Sequence, residues 1–107
     1  MFARMVEFVP KYEKKDEFLR TMKNEVIPIL KKQTGFLEIL PFVPETMNHN
    51  HITVTLWMEK KDAERYERET FPRVENILKP YLTTPITWKT YTVETTLCEH
   101  FVNALAA

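Results

Sequence analysis

Hydrophobic and polar residues alternate through four stretches of the chain and recur every three or four positions through two others, so the pattern predicts strand, helix, strand, strand, helix, strand. From Phe2 to Val9, Phe2, Arg4, Val6 and Phe8 share one face, Ala3, Met5, Glu7 and Val9 share the other, and Pro10 closes the run. Both faces are mostly apolar. From about Glu13 to Gln33, a stripe of Phe18, Met22, Val26, Ile29, Leu30 and Gln33 has helical spacing, with Lys14, Lys15, Glu17, Lys23 and Lys31 elsewhere. Pro28 interrupts that helix, and by removing one backbone bond it is expected to kink the helix or split it near Asn24.

Phe36 to Val43 again spreads apolar residues over two faces, Phe36, Leu40 and Phe42 against Leu37, Ile39 and Val43, before Pro44 stops it. The loop PETMNHN leads into a third strand, His51 to Glu59. There Ile52, Val54, Leu56 and Met58 form an apolar face expected to meet the core, and His51, Thr53, Thr55, Trp57 and Glu59 form the other. Asp62 is the expected N-cap of a second helix carrying Ala63, Tyr66 and Thr70, and Pro72 is expected to begin a fresh turn with Val74, Ile77, Leu78 and Tyr81. Pro80 and Pro85 bracket the exit. The last strand, Ile86 to Leu97, sets Trp88, Thr90, Thr92 and Glu94 opposite Lys89, Tyr91, Val93 and Thr95. One domain, 1–97, is expected, followed by a short tail, 98–107.

Gly35 is the only glycine in 107 residues. It follows Lys31 and Lys32, cations that suit a helix C-terminus, and precedes the apolar run from Phe36, so it reads as the left-handed residue that turns helix into strand. Strand-helix-strand repeated twice with short connections is an α+β, ferredoxin-like arrangement, a four-stranded antiparallel sheet with helices on one face. Two helices cover one side of that sheet, yet strands one and two are apolar on both. The second face is therefore expected to meet the same face of an identical chain, giving a homodimeric α/β barrel.

Composition narrows the partners. Fifteen basic and fifteen acidic residues cancel without a basic stripe, which argues against nucleic acid and anionic lipid. The opening segment lacks a long apolar core behind a basic start and no apolar run approaches membrane length, so neither signal peptide nor membrane span is expected. A lone cysteine, Cys98, makes no intramolecular disulfide and fits a reducing, cytoplasmic address.

Two segments, Val26 to Phe36 (VIPILKKQTGF) and Leu56 to Ala63 (LWMEKKDA), together with Phe71 and Pro72, resemble the antibiotic-biosynthesis-monooxygenase-like domains of the dimeric α/β barrel superfamily. The first is similar to the family's helix end with an internal proline and a Gly-Phe strand entry. The second is similar to its strand-ending tryptophan, charged turn and alanine-bearing helix. Many members place a histidine nine residues after that tryptophan, where this chain has Tyr66, and both predicted helices lack the histidine that haem-degrading relatives use as an iron ligand. The resemblance therefore implies the cofactor-independent, quinone-forming branch, in which a phenolate substrate itself delivers electrons to dioxygen. Such chemistry asks for a dry aromatic pocket, a base to ionise the phenol and a donor for the oxyanion, with no cofactor and no metal. The alternatives are a non-enzymatic small-ligand-binding or stress-response barrel, and an isomerase using His and Tyr as acid and base.

The candidate residues follow. Trp57 is either an interface or core anchor, or the wall of a cavity between sheet and dimer partner. Tyr66 offers a hydroxyl to a substrate oxygen or serves as a core tyrosine, and Trp88 with Thr90 and Thr92 presents the same choice. His49 and His51 form a His-x-His pair that lacks a third metal ligand, since nothing brings His100 near, so they read as solvated loop residues or as one candidate base.

Overall fold

A computed structural model describes residues 1–46 and 50–97. His49, Cys98 and His100, and the tail they bear on, lie outside these residues. Four strands, β1 (Phe2–Phe8), β2 (Phe36–Phe42), β3 (His51–Trp57) and β4 (Thr87–Thr92), form one antiparallel sheet in the order β2-β3-β1-β4. Between β1 and β2 come a 3-10 turn at Tyr12–Lys14, α1 (Lys15–Thr21), a π-turn at Met22–Val26 and α2 (Ile27–Lys31). Between β3 and β4 come α3 (Lys60–Glu69), α4 (Phe71–Leu78) and a 3-10 turn at Lys79–Tyr81. This is the α+β, ferredoxin-like βαββαβ order that the periodicity predicts. No helix among the described residues is long and apolar enough to cross a membrane.

The spiral stays helical through Pro28, and the expected disruption near Asn24 takes the form of a π-turn between α1 and α2. The π-turn widens the spiral just before the proline, with the Ile27 N–H donating five residues back to the Met22 carbonyl. One extra residue in the turn accommodates the ring and the missing donor. Gly35 ends the segment at φ 80, as its position predicts, and its carbonyl accepts the Met58 N–H at 2.7 Å. That bond ties the start of β2 to the end of β3.

Asp62 is not the N-cap. The cap position is Glu59, in extended conformation, and Asp62 lies inside the first turn of α3 with its N–H bonded to the Glu59 carbonyl at 3.1 Å. Because β3 stops at Trp57, the helix begins three residues earlier than the capping pattern suggests. Asp62 is buried against Gly35, with one oxygen 3.4 Å from Arg65 Nη1. The last strand also ends early, at Thr92 rather than Leu97. Thr92 faces Phe2, the first residue of β1, and the Val93 N–H bonded to the Met1 carbonyl is the final link.

Register sets the two faces of the sheet, and it reverses the expected orientation of β3. Cross-strand partners lie on the same face. Phe2, Arg4, Val6 and Phe8 of β1 stand opposite Trp57, Thr55, Thr53 and His51, so this polar-looking row of β3 turns toward the helices. The large apolar area of Phe2, Val6, Phe8 and Trp57 decides the matter, and the threonines go with it. Ile52, Val54 and Leu56 join Ala3 and Met5 on the outer face instead. In β2 the strict alternation breaks at an irregularity between Phe36 and Glu38, which turns Phe36 and Ile39 inward and Leu40 and Phe42 outward. The core lies between the inner face and the helices, built on Phe18, Met22, Val26 and Leu30 at one end and Ala63, Tyr66, Phe71, Val74 and Leu78 at the other.

The outer face is left with Leu40, Phe42 and Tyr91 exposed and Met5, Ile52 and Val54 half-buried. Pro41 lies on β2, at an edge of the sheet, where its missing N–H breaks no ladder bond.

Candidate active site

Trp57 sits at the end of β3, between the start of β1 and the start of β2, and is 0% exposed. Its Nε1–H donates to Thr55 Oγ1 at 2.9 Å, and Phe36 meets its ring edge-on at 5.6 Å. The indole therefore faces the monomer core under α3 and not a cavity toward a partner, because the register of β3 with β1 turns it that way. Tyr66 lies over it with ring centroids 5.1 Å apart. Spacing explains the meeting: Ala63 and Tyr66 are one turn apart on α3, both buried, and the small Ala63 lets the helix approach the sheet.

From Tyr66 the aromatic series runs to Phe71 at 6.0 Å and on to Trp88 of β4 at 5.2 Å. Phe71 opens α4 after the break at Thr70, and Trp88 faces inward because it stands opposite Val6. Arg4 occupies the centre. Its guanidinium carbon lies 4.5 Å from the Phe71 centroid, 5.4 Å from Tyr66 and 5.6 Å from Trp88, while Thr55 and Thr90 flank it on the neighbouring strands. The residue is 1% exposed, and its Nε and Nη2 have no hydrogen-bond partner among the described residues. Cation–π contacts contribute about 0.5–2 kcal/mol each when desolvated. Leaving a buried donor of a charged group unpaired costs about 1–3 kcal/mol or more. The rings thus hold the charge without satisfying the N–H groups.

Electrostatics follow from this burial. Desolvation pushes the Arg4 pKa down, opposed by Tyr66, Glu67 and Glu75, yet a guanidinium remains a cation at any working pH. Burial pushes the Tyr66 hydroxyl up to about 12, with Arg4 pulling it down and Glu75 pushing it up further. At neutral pH Tyr66 therefore keeps its proton and its hydroxyl is a hydrogen-bond donor. Glu75 also lines a surface cleft of about 550 Å³ along α4 and the approach to β4, with Pro72, Asn76, Lys79, Leu82, Thr83, Thr84, Pro85 and Ile86.

The histidines do not join this group. His51 begins β3 and Trp57 ends it, a run of about 20 Å at strand rise. His51 is buried edge-on to Phe18 at 5.5 Å, and its pKa is lowered by desolvation first and by Lys15 second, so it is a packed neutral imidazole and not a solvated loop residue. His49 lies outside the described residues. Among the described residues no three His, Cys, Asp or Glu side chains come together to hold a metal ion. The structure thus unites Trp57, Tyr66 and Trp88 and adds a residue that the sequence reading passed over. Arg4 was visible as the one charge on the Phe2, Val6 and Phe8 face of a strand.

No family model matches the sequence, and no curated protein matches it. Solved structures do. SnoaB from Streptomyces nogalater, described as a cofactor-independent oxygenase, superposes with a TM-score of 0.74 at 15% identity, over 92% of this chain and 97% of that one. The monooxygenase ActVA-Orf6 of Streptomyces coelicolor, solved with nanaomycin D, gives 0.69 at 17% identity over 87% of both chains. A conserved protein from Methanosarcina mazei Go1 gives 0.71 at 17% identity, over 88% of this chain and 94% of that one. In its fold, this chain is similar to the antibiotic biosynthesis monooxygenases of known structure.

Proposed function

We propose that this chain is a cofactor-independent monooxygenase acting on a small, electron-rich aromatic or quinone-like substrate, and that it works as a homodimer closed through the outer faces of two sheets. The observation that carries the reading is the buried Arg4 cation among the rings of Tyr66, Phe71 and Trp88. A phenol entering that group finds aromatic faces to stack on and a positive charge that favours its ionised form. The proton leaves to solvent, since Tyr66 is itself protonated and His51 lies at the far end of β3. Arg4 thus substitutes electrostatics for a dedicated base, and the Tyr66 hydroxyl supplies a donor to the oxygen that gathers charge.

The reaction balances without a further reductant: a phenol and dioxygen give a quinone and water, one oxygen atom replacing the ring hydrogen. The substrate is oxidised and dioxygen reduced. Trp57 is fully enclosed, so it acts through Tyr66 and Thr55 or becomes a wall when its neighbours move. The homodimer rests on the apolar residues left on the outer face. The balanced charge and the single cysteine support a cytoplasmic address.

The test is oxygen uptake with a panel of phenols and naphthols that carry a hydrogen para to the hydroxyl, with oxygen-18 gas and a chelator present. Protein-dependent uptake with one labelled atom in the quinone is expected, and a rate no higher than autoxidation across the panel overturns the assignment. A barrel that only binds such ligands is the second reading, favoured because, among the described residues, no carboxylate forms an ion pair with Arg4; it gives binding with no uptake. Among the described residues the His and Tyr isomerase reading has no pair, because His51 and Tyr66 pack at opposite ends of β3.

A further inference from the structure

Arg4 carries hydrogen-bond donors that the folded chain leaves unused. Its side chain is 1% exposed, Nε and Nη2 are both without a partner, and no carboxylate among the described residues forms an ion pair with it. Those two nitrogens lie on one edge of the planar guanidinium, where their N–H bonds run parallel and match two oxygens on one edge of a ligand. Phe71 and Trp88 flank the cation, and Trp88, 39% exposed, is the wall through which this group meets solvent. A flat ring that displaces Trp88 from its edge-on contact with Phe71 would stack there with its own edge toward Arg4.

We propose that Arg4 is the anion receptor of this site, and that its ligand is a planar arene bearing two oxygens on one edge that share a negative charge, either an aryl carboxylate or an ortho-diol monoanion. The inference rests on the site proposed above and narrows its substrate class. A lone phenol oxygen engages one N–H and leaves the other unpaired; a two-oxygen edge engages both.

Calorimetric titration of the full chain without oxygen, using 2-naphthoate, 2,3-dihydroxynaphthalene and 2-naphthol, tests this. One of the first two is expected to bind about ten- to a hundredfold more tightly than 2-naphthol, the range set by hydrogen bonds to a charged group. Naphthoate preferred assigns the carboxylate, and the diol preferred assigns the ortho pair. Arg4→Met should weaken the favoured probe far more than 2-naphthol, which loses one bond where the two-oxygen edge loses two, and so lose the preference. Should Arg4→Met fail to fold, Arg4→Lys, which keeps the charge and loses the parallel donors, should retain only part of it. Equal binding of all three probes, binding of none, or a full preference in either variant overturns the proposal. Binding and turnover separate here: preference without oxygen uptake keeps the receptor and removes the oxygenase, and uptake without preference does the reverse.

Discussion

Replacing Gly35 by alanine is expected to be among the most damaging single-methyl changes in this chain, for two reasons that can be measured apart. The first is conformational: at φ 80 a residue with a Cβ is strained by about 1–2 kcal/mol. The second is spatial, because the added Cβ falls on the Asp62 carboxylate and within 2.6 Å of the Asp62 Cβ. Rotating the side chain relieves the first contact only, so α3 must also move away from the corner. Overpacking of this kind costs about 1–3 kcal/mol. The sum is about 2–5 kcal/mol, a large share of the roughly 5–15 kcal/mol that stabilises a typical domain. In thermal terms that is a drop on the order of 10 °C or more. Urea unfolding followed by tryptophan emission reads it directly. Gly35→Asn separates the causes, since asparagine tolerates the left-handed region but still meets Asp62. A loss below about 1 kcal/mol for Gly35→Ala refutes the reasoning, and a mild Gly35→Asn assigns the cost to backbone strain.

Three further outcomes are expected. Tyr66 has a folded pKa near 12 against about 10 unfolded, so the unfolded state releases its proton first and stability falls as pH rises from about 10 to 12, by up to about 3 kcal/mol; Tyr66→Phe should flatten that limb of a pH series of urea midpoints, and an unchanged slope counts against the burial argument. His51, lowered by desolvation, is neutral when folded, so its stabilisation is present above its ordinary value near 6.5 and is lost as pH falls below it; His51→Gln should weaken that acid dependence in the same assay. On the outer face, Leu40→Glu with Val54→Lys should convert a particle of twice 12.8 kDa to a monomer in light scattering, and a parent chain that is already monomeric removes the closed barrel.

The order of elements was legible because each is written twice, in its period and in its punctuation: Pro10 after β1, Gly35 before β2, Pro72 at the start of α4. The faces of the sheet were not. In β3 the aliphatic row and the row of threonines with Trp57 are equally regular, and only pairing with β1 decides which turns inward. Thus Ile52 and Val54, which read as core, lie outside, and Thr53 and Thr55, which read as a polar surface, are buried. Half of the site was visible as aromatic residues at the right places, Trp57, Tyr66 and Trp88. Their meeting around Arg4 was not, because an arginine in an alternating strand looks like any surface charge until both neighbouring strands are in register. His51 shows the converse: a residue with apparent chemistry packs against Phe18 as a neutral ring.

Pro41 constrains how this protein can aggregate as well as how it folds. It stands in the middle of β2 at one edge of the sheet, where an incoming strand would need its N–H. A sheet that cannot lengthen at that edge cannot propagate through it strand by strand. The proposed contact through the outer face, by contrast, would use the same patch on both chains and be spent once two copies meet. The placement of one imino acid thus favours a finite particle over an open-ended fibre, and Pro41→Val, which restores the donor, should raise fibril formation on partial unfolding without disturbing the core.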